Sequence, residues 1–212
     1  DLSFEMCKRL ELKLHNLSIK FLHSATKNAY LDTYREELEG VANENIQSRL
    51  RGAMLYARSN YNNSLVINTS NKSEIAVGYS TLYGDSVGAL SILGDLYKSE
   101  VFQLANYINN TFQEIIPPEI ISRPPSAELR EAQEDSQTLP PYERLDPMLE
   151  GILSYRLDQN DLEELGFIPS EISHIHKLHN RTEYKRKQFC PIVKLRSKSF
   201  GFGRRIPICK KS

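Results

Sequence analysis

The sequence has 212 residues, 40% hydrophobic and 25% charged, so it can bury a core without disulfide or metal cross-links. Basic and acidic side chains number 27 each, which excludes a general attraction to nucleic acid or to an anionic membrane surface. The cysteines Cys7, Cys190 and Cys209 are widely separated, and no apolar run has the length of a membrane span. We therefore expect a cytoplasmic protein with no nucleic-acid or membrane partner.

The predicted elements alternate between helices and short strands. The first half of the chain is predicted to form helices over 2–13 and 24–38, with a strand at 17–19 between them, and then a helix over 43–60 and a strand at 64–67. A helix is predicted to start at Asn71, and further helices are predicted over 99–109, 145–156, 159–165 and 170–187. Gly40 is expected to end the second helix. An apolar stripe along the helix over 43–60 comprises Ile46, Leu50, Ala53, Met54 and Ala57. This order predicts one α/β domain over 1–212 with a parallel sheet.

The strand at 64–67 leads into a polar turn and the start of a helix. Ligands in open α/β sheets bind beyond the carboxyl ends of the strands, so Thr69 is a candidate phosphate contact. Glu74 is a candidate ligand for the magnesium ion that accompanies a nucleotide. Alternatively, Asn71 and Glu74 have the spacing of a helix capping box.

Two further segments combine groups that suit a nucleotide. Residues 78–85 mix tyrosines, hydroxyls and glycines, which suits stacking on a ring and hydrogen bonding to a sugar, although a surface Ω-loop is the alternative. Asn45, Arg49 and Tyr56 share one helix face. There Arg49 can bind a carboxylate or phosphate, or the face can simply be solvated.

Isolated basic and hydroxyl residues complete the candidates. Lys98 precedes a helix, where a cation is unfavourable, so it has a phosphate partner or is solvated. Two prolines stiffen the chain before Ser126, as in a lid or a plain connecting loop. Lys185 lies in a basic run late in a helix. It either acts on a ligand or interacts favourably with the negative end of the helix dipole. His176 and His179 lack a nearby acidic or cysteine ligand motif, so we expect them to be solvated.

Six segments together closely resemble the synthetase domain of glutamine-dependent NAD synthetases. In the order that the family shows, they are 43–52, 69–74, 77–85, 123–129, 139–142 and 183–186. The resemblance implies an adenine nucleotide alpha-hydrolase-like fold of the N-type ATP pyrophosphatase class, with a parallel sheet. The first strands and the pyrophosphate loop of that fold do not occur in this sequence.

The resemblance also implies a reaction in two steps. ATP adenylates the nicotinate carboxylate of deamido-NAD and releases pyrophosphate, and ammonia from glutamine or from solution then expels AMP. It implies Mg²⁺ as cofactor, a homodimer, and a glutaminase domain upstream. By the same resemblance, ATP is bound by Thr69, Lys98 and Ser126, and the metal ion by Glu74. Catalysis is assigned to Lys185 and Glu74. The residues implied to bind deamido-NAD are Asn45, Arg49, Glu74, Tyr79, Ser80, Thr81, Leu82 and Lys185.

The sequence also departs from the family pattern. The Ser-Gly-Gly-x-Asp-Ser loop and the Glu-Lys-Cys site are absent, and Ser70 stands where the family usually has glycine. Tyr184 replaces the histidine of ammonia-dependent relatives, which favours the glutamine-dependent branch. The chain begins at Asp1 without Met, so we expect a missing upstream segment and no turnover by this stretch alone. The alternatives are another adenylating ATP pyrophosphatase, or an inactive remnant that binds nucleotide or dimerises.

Overall fold

A computed structural model describes residues 2–112, 115–126, 129, 135, 138–201 and 203–208. Its helices are α1 (Leu2–Arg9), α2 (Lys20–Tyr34), α3 (Gly40–Asn62), α4 (Lys72–Val77), α5 (Lys98–Phe112), α6 (Pro118–Ser122), α7 (Tyr142–Glu150), α8 (Gln159–Glu164), α9 (Pro169–Arg181) and α10 (Glu183–Lys187). The strands are β1 (Ile67–Asn68) and β2 (Leu90–Ser91). They pair in parallel, with Ile67 opposite Leu90, which confirms the predicted α/β class.

The two strands anchor the segment between them. The Asn68 side chain donates hydrogen bonds to the carbonyls of Asp85 and Val87, at 2.9 and 3.0 Å. On the other edge of β2, Ser91 forms a parallel bridge with Ile192. These bonds hold the chain that follows α4 against the carboxyl end of β1.

The core is centred on α4, which packs against α7 and α9. The buried apolar side chains that form it are Ile75, Ala76, Val77, Tyr97, Leu139, Tyr142, Leu145, Met148, Leu149, Leu153, Leu162, Ile172, Ile175 and Phe200. Apolar residues three and four apart on α7 and α9 give each helix one buried face. Because α4 is enclosed by this core, the segment that leaves its C-terminus has a fixed position.

Two expectations about the first part of the chain were wrong. Residues 17–19 form no strand, and Ile19 instead precedes α2 as its N-cap. Gly40 begins α3 rather than ending α2. The helix α2 ends at Tyr34, and its C-cap Arg35 has a left-handed conformation, with φ of 58°. An isolated apolar run cannot form a strand without a partner strand, and none of the described segments pairs with it.

The buried face of α3 is not the apolar stripe. The helix buries Ser48, Gly52 and Ser59, whereas Ala53 and Ala57 are exposed. A β-carbon at position 52 would lie 2.8 Å from the Tyr83 carbonyl oxygen, so glycine permits this close approach. Small residues on α3 therefore allow the segment that contains Tyr83 to pack closely against this helix.

The remaining helices differ from prediction mainly at their ends. The predicted helix at 170–187 is divided at Thr182 into α9 and α10, and α7 continues into a π-helical turn, Gly151–Tyr155. Residues 118–122, for which no element was predicted, form α6, and part of the stretch that follows lies outside the described residues. Strand β2 was not predicted. No helix in the described ranges is both long and apolar enough to cross a membrane.

Candidate functional site

A cleft of about 320 Å³ lies between α3, the segment after α4, and α10. The residues lining it are Val41, Glu44, Asn45, Gly78, Tyr79, Ser80, Thr81, Asp85, Leu129, Thr138 and Lys185. The structure thus brings together Asn45, Tyr79, Ser80, Thr81 and Lys185, which were chosen from three separate stretches of sequence.

Hydrogen bonds from α3 fix the segment after α4 in place. The Thr81 hydroxyl donates to Asn45 Oδ1 at 2.6 Å, and the Thr81 backbone N–H donates to Asp85 Oδ1 at 2.6 Å. Arg49 Nε donates to the Leu82 carbonyl at 3.1 Å. Arg49 and Leu82 therefore flank the cleft, and the Arg49 side chain, although exposed, contacts the backbone of the segment that lines it.

Lys185 reaches into the same cleft from α10. Its Nζ donates to the carbonyls of Gly78 and Ser80, at 2.8 and 2.6 Å. Burial lowers the pKa of Lys185, and the nearby Asp85 opposes that shift. An ammonium group has three hydrogens, so one remains for a ligand.

Glu74 and Lys98 form an ion pair, with Lys98 Nζ 3.4 Å from Glu74 Oε1. Glu74 Oε2 accepts from the Asn71 backbone, and the Asn71 side chain accepts from the Glu74 backbone, so the predicted capping box is present. Burial raises the pKa of Glu74, and the charge of Lys98 opposes that shift. Lys98 is therefore not simply solvated, and one oxygen of Glu74 is already used by the cap.

The structure does not place every candidate in the cleft. Thr69 is exposed and lines a neighbouring groove of about 230 Å³, which shares Asp85 and Leu129 with the cleft. Ser126 is half-buried after α6 and lines neither cavity, and Ala127 and Glu128 beside it lie outside the described residues. Glu74 also does not line the cleft, although the Tyr79 backbone N–H donates to its carbonyl at 2.9 Å.

Sequence reasoning missed Asp146, a buried carboxylate on α7. It accepts hydrogen bonds from the Ser73 hydroxyl and from the Ser99 backbone N–H, the latter at 2.8 Å. Ser73 Oγ in turn accepts from the Lys98 backbone N–H at 2.9 Å. Burial raises the pKa of Asp146. Asp146 thus joins the starts of α4 and α5, and no local pattern marks this because the partners are far apart in sequence.

The expectation that His179 is solvated was wrong. It is 8% exposed, and its Nδ1 donates to the Ala76 carbonyl at 2.8 Å. Arg186 Nη1 donates to the same carbonyl at 2.8 Å and pairs through Nε with the buried Glu183 at 2.8 Å. Both side chains satisfy a carbonyl near the end of α4, where helical partners are lacking. They hold α9 and α10 against the segment that bears Lys185's acceptors.

The family model described as NAD synthase matches residues 2–189. The glutamine-dependent NAD(+) synthetase of Xanthomonas campestris pv. campestris is 41% identical over 209 residues, covering 98% of this chain and 38% of that protein. The Acinetobacter baylyi protein of the same name is 45% identical over 167 residues, covering 78% of this chain and 31% of that protein. The chain therefore spans well under half the length of these curated relatives.

Solved structures with the same fold include NMN synthetase from Francisella tularensis. That structure has a TM-score of 0.68 and 30% identity, covering 87% of this chain and 68% of the other. A glutamine-dependent NAD(+) synthetase from Cytophaga hutchinsonii has a TM-score of 0.78 at 19% identity, covering 97% of this chain and 35% of the other, a likeness of fold alone. These likenesses confirm the adenine nucleotide alpha-hydrolase-like fold class.

Proposed function

Because the chain belongs to the NAD synthase family, we propose that it forms the dinucleotide-binding part of an ATP-dependent ligase that amidates deamido-NAD to NAD. The observation that carries the proposal is the cleft between α3, the segment after α4, and α10. It offers an aromatic ring at Tyr79, hydroxyls at Ser80 and Thr81, and a cation at Lys185. A dinucleotide needs these groups for stacking, sugar hydrogen bonds and phosphate charge.

In the proposed reaction, two anions must approach each other. The nicotinate carboxylate attacks the α-phosphate of ATP, pyrophosphate leaves, and ammonia then attacks the mixed anhydride and expels AMP. Positive charge next to the phosphate is the main requirement of the first step. Lys185 suits this role because two backbone carbonyls hold its ammonium group in place and leave one hydrogen for a phosphate oxygen. We assign Lys185 as a catalytic residue on that basis.

We propose Glu74 as the protein ligand for Mg²⁺ and as the second catalytic residue. Its Oε1 is paired only with Lys98, at 3.4 Å, among the contacts of the described residues. Mg²⁺ is usually bound through one or two carboxylates together with substrate phosphates, so one carboxylate oxygen fits. Within the described ranges, no group of three or more His, Cys, Asp and Glu side chains is placed to hold a metal ion. The ion, when bound, polarises the phosphoryl oxygens.

For ATP we propose contacts from Thr69, Lys98 and Ser126. Thr69 directly follows β1, at the edge of the sheet where ligands bind in open α/β folds. Lys98 is the first residue of α5, and its side chain is partly exposed beside Glu74. Ser126 is supported by its motif, and its contacts with ATP remain a prediction.

We propose that the ammonia comes from glutamine through a glutaminase domain upstream, in line with the names of the relatives and with Tyr184. We also propose that the protein is a homodimer. Large apolar side chains are exposed on α2 and α3, as an interface requires. They are Phe21, Leu22, Leu31, Tyr34, Val41, Leu55, Tyr56 and Tyr61.

A second candidate substrate is the deamidated mononucleotide, since NMN synthetase from Francisella tularensis shares the fold at 30% identity. Amidation of a mononucleotide would use the same adenylation chemistry with a smaller ligand. The dinucleotide should bind more tightly than the mononucleotide, because only the dinucleotide has a second base that can contact the cleft.

The test measures binding of deamido-NAD to the 212-residue chain by calorimetry, and NAD formation with ATP, Mg²⁺ and ammonium by the longest protein that carries this sequence. Lys185→Gln should reduce kcat about a hundredfold, because it removes one preorganised charge from the transition state. Lys187→Gln is the matched control, since Lys187 is exposed on the same helix. It should leave both binding and turnover unchanged.

Three outcomes would contradict the proposal or a part of it. The first is no saturable binding of deamido-NAD by the chain, which would remove its role as the dinucleotide-binding part. The second is equal loss of turnover in the Lys185 and Lys187 variants. The third is tighter binding of the deamidated mononucleotide than of the dinucleotide, which selects the second candidate.

A further inference from the structure

A second cavity, of about 430 Å³, is formed by the π-helical turn Gly151–Tyr155 and the residues after it, the C-terminal half of α9, Lys198, and residues 203–206. Its lining residues are Ile152, Leu153, Arg156, Leu157, His176, His179, Asn180, Lys198, Gly203, Arg204, Arg205 and Ile206. It shares none of these with the cleft that contains Lys185. It is therefore separate from the site proposed for deamido-NAD.

The charge of this cavity is one-sided. Arg156, Lys198, Arg204 and Arg205 all line it, and no Asp or Glu does so among the residues that the structure describes. Arg156, Lys198 and Arg204 have no ion pair with a described residue. Arg205 has interactions of its own, but the other three cations around this small space repel one another unless an anion lies between them.

Arg204 shows most directly that an acceptor is missing. Its side chain is half-buried, and its buried Nε has no hydrogen-bond partner among the described residues. Burial is the main cause that lowers the pKa of Lys72, and the charge of Arg204 adds to it. A guanidinium group in this setting is stabilised by an acceptor with two oxygens, which carboxylates and phosphates provide. Phosphate carries more charge and matches the several cations better.

The remaining wall is apolar, with Ile152, Leu153, Leu157 and Ile206. Inorganic phosphate would leave this wall in contact with water, whereas a phosphate ester with an apolar group would cover it. The volume of about 430 Å³ lies within the range of sites for small organic ligands. We propose that this cavity binds a small organic phosphate, with the phosphate on the arginines and the organic group on the apolar wall.

The test uses 1-naphthyl phosphate as probe and measures its dissociation constant for the full 212-residue chain by calorimetry. The dissociation constants of inorganic phosphate and of 1-naphthol, measured at equal ionic strength, give the separate contributions of the phosphate and of the aromatic group. The ester should bind more tightly than either. Arg204→Gln should weaken ester binding about tenfold, the effect of losing one charged hydrogen bond. Lys198→Gln should weaken it several-fold, and because Lys198 is exposed this change cannot unfold the chain.

Two control variants locate the binding. Lys177→Gln changes an exposed lysine on α9 that does not line the cavity, and it should bind the ester as the parent chain does. Lys185→Gln changes the cleft and should also leave ester binding unchanged, which separates this proposal from the proposed enzymatic function. Three results would overturn the proposal: no saturable binding of the ester, equal affinity for inorganic phosphate, or unchanged affinity in both cavity variants.

Discussion

Lys72 is a lysine in the core, with 1% of its surface exposed. Its Nζ lies 4.1 Å from the centroid of the Tyr97 ring and 5.9 Å from that of Phe200. Burial, helped by the charge of Arg196, lowers the pKa of Lys72 from 10.5 to about 8. Between these two values the unfolded chain binds more protons, so the stability of the fold rises with pH. Below pH 8 the full penalty, roughly 3 kcal/mol, applies.

Lys72→Met should therefore raise the free energy of unfolding at pH 7 by about 2 kcal/mol, since the lost cation–π contacts offset part of the gain. It should also remove the contribution of this residue to the rise in stability between pH 8 and 10. Urea denaturation at pH 7, 8, 9 and 10 measures both effects. Lys177→Met, at an exposed position, is the control and should show the parent pH dependence. A Lys72→Met variant that is less stable than the parent at pH 7 would contradict this account.

Gly78 ends α4 with φ of +69°, and a β-carbon there would overlap the side chain of Thr182. Gly166 has φ of +88° with nothing within 4 Å of an added β-carbon. Gly78→Ala and Gly166→Ala thus share the backbone strain and differ in the steric overlap. We expect Gly78→Ala to lose about 2 kcal/mol more stability than Gly166→Ala, by thermal and urea unfolding. Gly78→Ala should also weaken deamido-NAD binding, because it displaces the start of the segment that lines the cleft. Equal losses of stability in the two variants would show that steric overlap with Thr182 does not contribute.

At the scale of elements, α4 is a helix of six residues whose position depends on its neighbours. So short a helix has little stability of its own. Its N-terminal end is joined to α5 and α7 through Ser73, Lys98 and Asp146, and its C-terminal end to α9 and α10 through His179 and Arg186. The cleft is therefore built on contacts between elements rather than on any single one.

Asp146→Asn tests the first of these junctions. The amide retains an acceptor for only one of the two donors, Ser73 Oγ and the Ser99 N–H, so we expect a loss of about 2 kcal/mol in the free energy of unfolding. Glu143→Gln, an exposed acid-to-amide change on the same helix, should be within about 0.5 kcal/mol of the parent. Chemical denaturation measures both. If the Asp146→Asn variant is as stable as the Glu143→Gln variant, the junction does not depend on the carboxylate.

At the scale of the whole molecule, the described part of the chain leaves apolar side chains of α2 and α3 uncovered. Phe21 is 83% exposed and Val41 69% exposed. Isolated exposed apolar residues are ordinary, but several large ones on adjacent helices suit an interface. The proposed homodimer gives this surface a partner.

Phe21→Glu should weaken self-association without lowering the stability of the monomer, because the ring makes few contacts within its own chain. Asn28→Glu places the same charge at an exposed polar position of α2 and should leave the dimer intact. Sedimentation velocity over a range of concentrations measures the effect. A parent chain that stays monomeric at high concentration would rule out this interface in the 212-residue chain.

Local patterns in the sequence predicted the order of most elements and the parallel class of the sheet, and they offered the capping box of Asn71 and Glu74 as one of two alternatives. The resemblance of its motifs to the family predicted that Asn45, the residues from Tyr79 to Leu82, and Lys185 bind one ligand, and the structure places all of them except Leu82 in the lining of one cleft. The element order and the capping box follow from local periodicity and from motifs whose residues lie within a few positions of one another.

How distant segments meet is seen in the folded structure. It left 17–19 without a strand, buried His179 against Ala76, and placed the acceptor Asp146 between α4 and α5. It also put Thr69 in a neighbouring groove rather than in the cleft. The physical reason is that burial and hydrogen-bond partners are set by packing between residues far apart in the chain, which no local pattern encodes.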